Sequence, residues 1–425
     1  MKTCFSKFPK SRRNGNFKES TVLGFLFVCF CVSSAQAIYD PELILKKGKR
    51  WSVAVAATTG YDDNINTSAL TPQGSLFSVL GVDGVYAYPS DNTYLSVRGG
   101  THATWYFQRQ GNGMDQDDAV DINFTHTFSP RLNFDMHDHL RFGQQPEISS
   151  DNVIVRRQGD YVNNGVDLGL SYQLQRQWYV DFSLYHDIWS YADLQIASVL
   201  SRQAYGGGPS VRYRMSDRTT FSANYRLTEV AYELSPRSAL DHVVTAGFSH
   251  DLRPRWNVNA EGGLEIRQPD LATSSSTASS SSTTASGAAS SDMLVAPFFT
   301  LSSSYKITEQ TILTGGLRYS FQDTDLSTYY VSRSTSGYGI FDWRIYKNLT
   351  SVSSLDLIHT ELTDPIVAGT PETQEDTFVI AEKVTWRLAE NLDLSLKYSY
   401  TELASSVALR GYNRTIFSFG ATYLF

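Results

Sequence analysis

The sequence predicts an all-β protein, a transmembrane antiparallel barrel of about 18 strands with short periplasmic turns and longer extracellular loops. Three observations lead there. Apolar and polar residues alternate in long runs to the last residue, short and long connections take turns between those runs, and an export leader stands in front while an aromatic strand closes the chain.

The leader comes first. A basic region with Lys2, Lys7, Lys10, Arg12, Arg13 and Lys18 precedes an apolar stretch from Val22 to Val32, and Ala35-Gln36-Ala37 offers the small residues a signal peptidase needs. Residues 1–37 therefore read as a secretory signal peptide cleaved near Ala37, followed by a short periplasmic segment over 38–50 and a barrel over 51–425. An apolar stretch of 11 residues is about half a membrane-crossing helix, so an uncleaved anchor is the weaker reading. Cys4, Cys29 and Cys31 all fall in the leader. The mature chain has no cysteine, which excludes a disulfide framework and any cysteine-ligated metal. Losing six Lys/Arg and one Glu with the leader takes the formal net charge from −7 to −12. An acidic exported chain is poorly suited to a phosphate backbone, and no nucleic-acid partner is expected.

The strands follow. Leu392, Leu394, Leu396, Tyr398 and Tyr400 interleave with Asp393, Ser395, Lys397, Ser399 and Thr401. Val166, Leu168, Leu170 and Tyr172 interleave with Asp167, Gly169, Ser171 and Gln173 in the same way. A period of two puts one residue set on each face of a strand. Runs of about 10 to 14 residues suit a tilted membrane strand better than the usual soluble strand of five or six. Short turns are read near 89–92, 129–131, 175–177, 216–218, 253–255, 308–310, 347–349 and 389–391, a repeat of roughly one hairpin per 40 residues. Longer connections include 62–74, 143–163, 192–205 and 268–292. The last is nearly all Ser, Thr, Ala and Gly, and reads as a flexible extracellular loop that cannot bury enough apolar surface to order itself. Eight short turns and nine longer connections give 18 strands with both termini on one side, and closure leaves no unpaired edge in lipid. Trp178 and Trp256, placed just after short turns, suit an interfacial aromatic girdle.

The terminus Ser418-Phe419-Gly420-Ala421-Thr422-Tyr423-Leu424-Phe425 resembles the signal by which the barrel-assembly machinery recognises its substrates, through Gly420, Tyr423 and Phe425. Phe417, Phe419, Tyr423 and Phe425 share one face that can meet lipid. The first strand runs into Tyr61-Asp62-Asp63-Asn64-Ile65, similar to the YDDN segment of the β-barrel porin type 2 family, and short turns with a basic residue before a hydrophobic strand start are similar too. The resemblance extends over about residues 50–425. It implies an outer-membrane barrel without catalytic residues, and some relatives are associated with exopolysaccharide secretion. Trimeric porins resemble the chain less, because no PEFGG-like segment occurs in the third external loop, and a porin-style loop constriction is not expected.

If the apolar faces meet lipid, the polar faces line a pore. Asp121, Asp135, Asp167 and Asp181 then mark an acidic arc contributed by the early strands, which also carry Asp83, Asp187, Arg98 and Arg141. Arg318, Arg344, Lys397 and Arg414 mark a basic arc in the last strands, with Arg212 and Arg214 between the two. Charges that fill polar space as fixed pairs are an equally open reading. Asp62, Asp63 and Asn64 read as a solvated acidic turn, with a divalent cation at the rim as the alternative. His137 and His139 share a face with Asp135 and Arg141, and a polar network is expected there rather than a metal, since no third ligand is identifiable. No cofactor and no catalytic site are expected, because no spacing brings a nucleophile, base and acid together. The function expected is a porin-like channel for passive passage of small hydrophilic solutes. A non-catalytic accessory for exopolysaccharide secretion is the alternative. The partners expected are outer-membrane lipid and lipopolysaccharide, the barrel-assembly machinery, and small solutes or polysaccharide.

Overall fold

The computed structural model describes residues 49–111, 113–144, 148–150, 153–155, 159–235, 237–269, 293–326, 328–365 and 370–425. The expected signal peptide and nearly all of the 38–50 segment lie outside these residues. So does most of the Ser/Thr/Ala-rich loop, although Gln268 and Pro269, expected to belong to it, are the last two residues of a strand.

The strands begin with β1 (Trp51–Asp62), β2 (Ser75–Pro89), β3 (Thr93–Tyr106), β4 (Met114–Ser129) and β5 (Leu132–Gly143). Two short strands, β6 (Ile148–Ser150) and β7 (Val153–Val155), pair only with each other. The wall resumes with β8 (Tyr161–Gln173) and β9 (Trp178–Tyr191), after which a short helix α1 (Leu194–Leu200) precedes β10 (Arg202–Ser216). It continues through β11 (Thr219–Tyr232), β12 (Ala239–Arg253), β13 (Trp256–Pro269) and β14 (Leu294–Thr308). The remaining strands are β15 (Thr311–Gln322), β16 (Tyr329–Tyr346), β17 (Leu349–Pro365), β18 (Thr373–Ala389), β19 (Leu392–Ser405) and β20 (Tyr412–Leu424). Apart from β6 and β7 each strand pairs antiparallel with its neighbours in sequence, and β20 pairs with β1, so the 18-stranded sheet closes. All eight short turns fall where the sequence puts them, and β1 begins and β20 ends at the short-turn end. A strand of 13 residues at ~3.3 Å each, tilted by ~40°, rises roughly 33 Å, enough for the ~25 Å apolar band of an outer-membrane barrel.

The period of two decides the two faces. Leu80, Val244, Leu264, Leu357, Phe417 and Phe419 are about half exposed on the outside, where a water-soluble protein would not leave such a belt. Near the short-turn end aromatics pair on this outer surface, Trp178 with Tyr213 at 4.8 Å and Trp256 with Tyr305 at 5.9 Å between ring centres. That is the girdle expected at a membrane interface. Positions directly opposite one another across the ladder share a face, so Arg98, Asp121 and His139 form one inward row, and His137, Asp167, Tyr185 and Gly206 another.

The seam between β20 and β1 corrects the reading of the YDDN segment. Asp62 is neither solvated nor at a cation site. It is fully buried and takes the Arg414 guanidinium at 2.6 Å, with Nε at 3.1 and 3.2 Å. Asp63 accepts the Thr415 N–H at 2.6 Å, and Asn64 donates to the Asn413 carbonyl at 2.8 Å. No connection joins β20 to β1, so the polar side chains at and just beyond the end of β1 supply an anchor at the long-connection end. At the other end the Phe425 N–H donates to the Val53 carbonyl at 2.8 Å. A Cβ on Gly420 would stand 2.5 Å from Thr58 Oγ1 on β1, so the hydrogen side chain lets these strands approach.

Candidate functional site

The inward faces carry the charges singled out in the sequence, in different settings. Asp181 is gripped by Arg212 through Nε at 2.5 Å and Nη2 at 2.7 Å, and Arg212 also donates to Ser171 Oγ. Asp121 and Asp167 flank His137 at 3.9 and 3.7 Å, and Asp135 accepts the Thr125 hydroxyl at 2.9 Å. Arg214 pairs with Asp217 at the short-turn rim. Arg318 donates to Ser320 Oγ, while Arg344 and Lys397 occupy inward positions opposite Thr350 and Lys383. Arg414 is placed differently from the others. It is buried against Asp62 in the seam and does not line an open lumen. The acidic arc on β2–β9 and the basic arc on β14–β20 lie on opposite walls of the closed sheet. His137 and His139 lie 5.7 Å apart between ring centres, and His139 meets Asn163 at 3.1 Å. Among the described residues no group of three His, Cys, Asp or Glu is arranged to hold a metal.

The mouth at the long-connection end departs from a simple tube. β14 begins at Leu294, yet its pairing with β15 starts only at Phe299 opposite Tyr319, while β15 and β16 stay paired up to Gln322 and Ser332. The tip of the β15–β16 hairpin has therefore left the wall. Pro297 lies in the stretch of β14 that β15 abandons, and proline, which cannot donate to a ladder, suits such an edge. The Phe321 N–H donates to the Glu265 carboxylate on the inner face of β13 at 2.9 Å, where β15 no longer pairs with β14. Phe321 packs with Ala296 and Val331 in a buried cluster.

Arginines from four other elements hold this tip in place. Arg267 on β13 binds Asp241 on β12 through two bonds of 2.6 and 2.7 Å, and its remaining nitrogen reaches Asp323 at 3.1 Å. Arg202 at the start of β10 meets the other Asp323 oxygen at 3.4 Å. Arg237, between β11 and β12, donates to the Thr324 carbonyl at 2.5 Å and to the Val199 carbonyl of α1. Arg410, between β19 and β20, holds Asp325 at 2.6 Å and Glu375 on β18. Burial works against the Asp323 carboxylate, but Arg267, Arg202 and Arg237 outweigh it and hold its pKa below the ordinary value. The helix α1 is folded in beside this network. Asp193 caps it by accepting the N–H groups of Gln195 and Ile196, and Ile196, Ala197 and Leu200 pack against Tyr161, Trp189 and Tyr191. The residues bound together run from α1, just before β10, to Arg410, just after β19, and so span ten of the 18 barrel strands. The geometry is that of a hairpin tip drawn off the wall and tied to neighbouring strands and connections by ion pairs.

No family model matches this chain, and no curated protein matches it. Solved structures similar to it include OccAB4 of Acinetobacter baumannii, 9% identical with a TM-score of 0.45, covering 89% of this chain and 99% of that one. The outer membrane protein opdK of Pseudomonas aeruginosa is 10% identical with a TM-score of 0.48, covering 88% and 99%. The siderophore receptor PirA of Pseudomonas aeruginosa is 9% identical with a TM-score of 0.43, covering 90% and 81%. At such distances the likeness carries no argument about function.

The expectation of no constriction concerned only a porin-style one from the third external loop, and the tip described above belongs to the seventh long connection, beside the helix in the fourth. The residues that tie it, Asp323, Asp325, Arg202, Arg237, Arg267 and Arg410, were not singled out as site residues in the sequence. Two acids in a short connection and arginines at the tops of strands were the available signal, and nothing local says that they meet.

Proposed function

We propose that this chain is a non-catalytic outer-membrane channel for the passive passage of small hydrophilic solutes, narrowed at its external mouth. The single observation that carries the reading is a closed barrel with an apolar outer belt and a charged inner wall. Water and polar solutes have a path only through the middle. The short turns and both strand termini face the periplasm in this reading, and the long connections face outward. The export leader, the terminal strand with Gly420, Tyr423 and Phe425, and the resemblance to the porin type 2 family support delivery by the barrel-assembly machinery into lipid and lipopolysaccharide. Asp121, Asp135, Asp167, Asp181, Arg212, Arg318, Arg344 and Lys397 are the charges proposed to meet solute.

The stitched mouth favours a second reading, a non-conducting scaffold for exopolysaccharide secretion. Planar-bilayer recording of the full-length refolded protein separates the two. Discrete current steps support the channel, and a folded barrel that inserts silently supports the scaffold.

A further inference from the structure

We infer that Asp323 occupies an anion seat formed by Arg202, Arg237 and Arg267, and that a small carboxylate solute takes this seat when the connection between β15 and β16 withdraws. The inference rests on the channel reading. It goes further in naming the ligand chemistry and the residue that mimics it.

The seat is recognisable by where its charges come from. Asp241 and Glu265 also lie close to Arg267, but they belong to wall strands and stay put when the connection moves. Asp323 alone comes from a connection, outside both β15 and β16. Its two oxygens are divided between Arg267 and Arg202 at 3.1 and 3.4 Å, which is how a planar carboxylate is read by two guanidiniums. Arg237 adds its charge from a third side while donating to the Thr324 and Val199 carbonyls. The guanidiniums are also backed by aromatic faces, Arg237 over Tyr232 at 4.4 Å and Arg202 over Trp189 at 5.9 Å, contacts that do not depend on Asp323.

Withdrawal of the connection takes one negative charge away, leaving Arg267 paired with Asp241 alone and Arg202 with only the more distant charge of Asp187. A sequestered guanidinium that loses its carboxylate is strongly disfavoured unless another anion replaces it. A ligand can shift such an equilibrium only through a difference in affinity for the two states, and a vacant seat supplies that difference. A carboxylate fits better than chloride, because it can bond both arginines at once.

Acetate, which has the size and charge of the Asp323 side chain end, is the probe. The experiment records single channels of the full-length protein and of Asp323→Ala in chloride and in acetate at matched ionic strength. In the parent protein acetate should raise the open-to-closed ratio in a saturable way that chloride does not reproduce. In Asp323→Ala the mouth should open without acetate, with the ratio raised roughly tenfold or more for loss of charge-assisted bonds, and acetate should then produce a saturable block of the current. Asp325→Ala, which releases the Arg410 tie and keeps Asp323 in the chain to compete for the seat, should raise the open-to-closed ratio while keeping the acetate response of the parent. Heat-modifiable migration confirms that each variant is folded. Equal gating in acetate and chloride for both parent and Asp323→Ala would overturn the seat even if the variant opens, leaving a latch and an intact channel. Silence of all folded variants would remove the channel reading itself.

Discussion

Asp62 shows how much a short polar motif can do at one point in a barrel. Its carboxylate is sealed from solvent and its Arg414 partner nearly so, and removing one member of a buried pair leaves the other charged and alone. Asp62→Ala is expected to lower stability by about 3–5 kcal/mol, read as a lower urea midpoint for loss of the heat-modifiable form. An unchanged midpoint would mean that the seam does not depend on the clamp. Asp323 gives a second test at this scale, through pH. It is faced by Arg267 on β13, Arg202 on β10 and Arg237 beyond β11, with Asp241 sharing Arg267 and Tyr232 buried beside the arginines. Because its pKa is lowered, the stability it contributes is complete above the ordinary carboxylate value and is lost only as pH falls through the lowered one. The open fraction of the channel should therefore stay level from about pH 8 to pH 5 and rise only in stronger acid. A rise already near neutrality would point to another titratable group that holds the tip, such as Glu265, which accepts the Phe321 N–H.

At the scale of elements, the sequence was readable wherever a rule is local. Alternation at period two in the runs ending at Thr401 and Gln173 placed both faces of β19 and β8, because a one-residue slip would turn every apolar side chain inward. The turns were equally legible from their spacing. The helix α1 and the departure of β15 from β14 were not. A seven-residue helix has too few turns for a period, and the β15–β16 tip looks like any short connection until Arg267 and Arg410 are brought to it from far along the chain. The solvated reading of Asp62 failed for the same reason, since Arg414 is 352 residues away. The tip is held by its acids and not by its backbone alone. Replacing 323–328 with a neutral Gly/Ser linker of equal length should leave β15 and β16 paired and the barrel folded, since connection length and closure entropy are unchanged. Protease should then cut the linker variant at the mouth faster than the parent. Equal resistance would show that the ion pairs do not hold the segment.

For the whole molecule, the central property is inversion, with apolar groups outside and charges within, sealed by one seam. Phe425 lies on the outer face of that seam beside Tyr423, at 4.8 Å between rings, and its N–H reaches β1. Deleting it, or making it charged, should reduce the amount of heat-modifiable barrel in outer-membrane fractions, and normal amounts would count against a role in assembly. The most direct measurement is the current through the parent and the 323–328 linker variant in planar bilayers at neutral pH. The account predicts discrete steps in both, with the linker variant open for a several-fold larger share of the time. A linker variant that is folded and inserted but carries no current would contradict it.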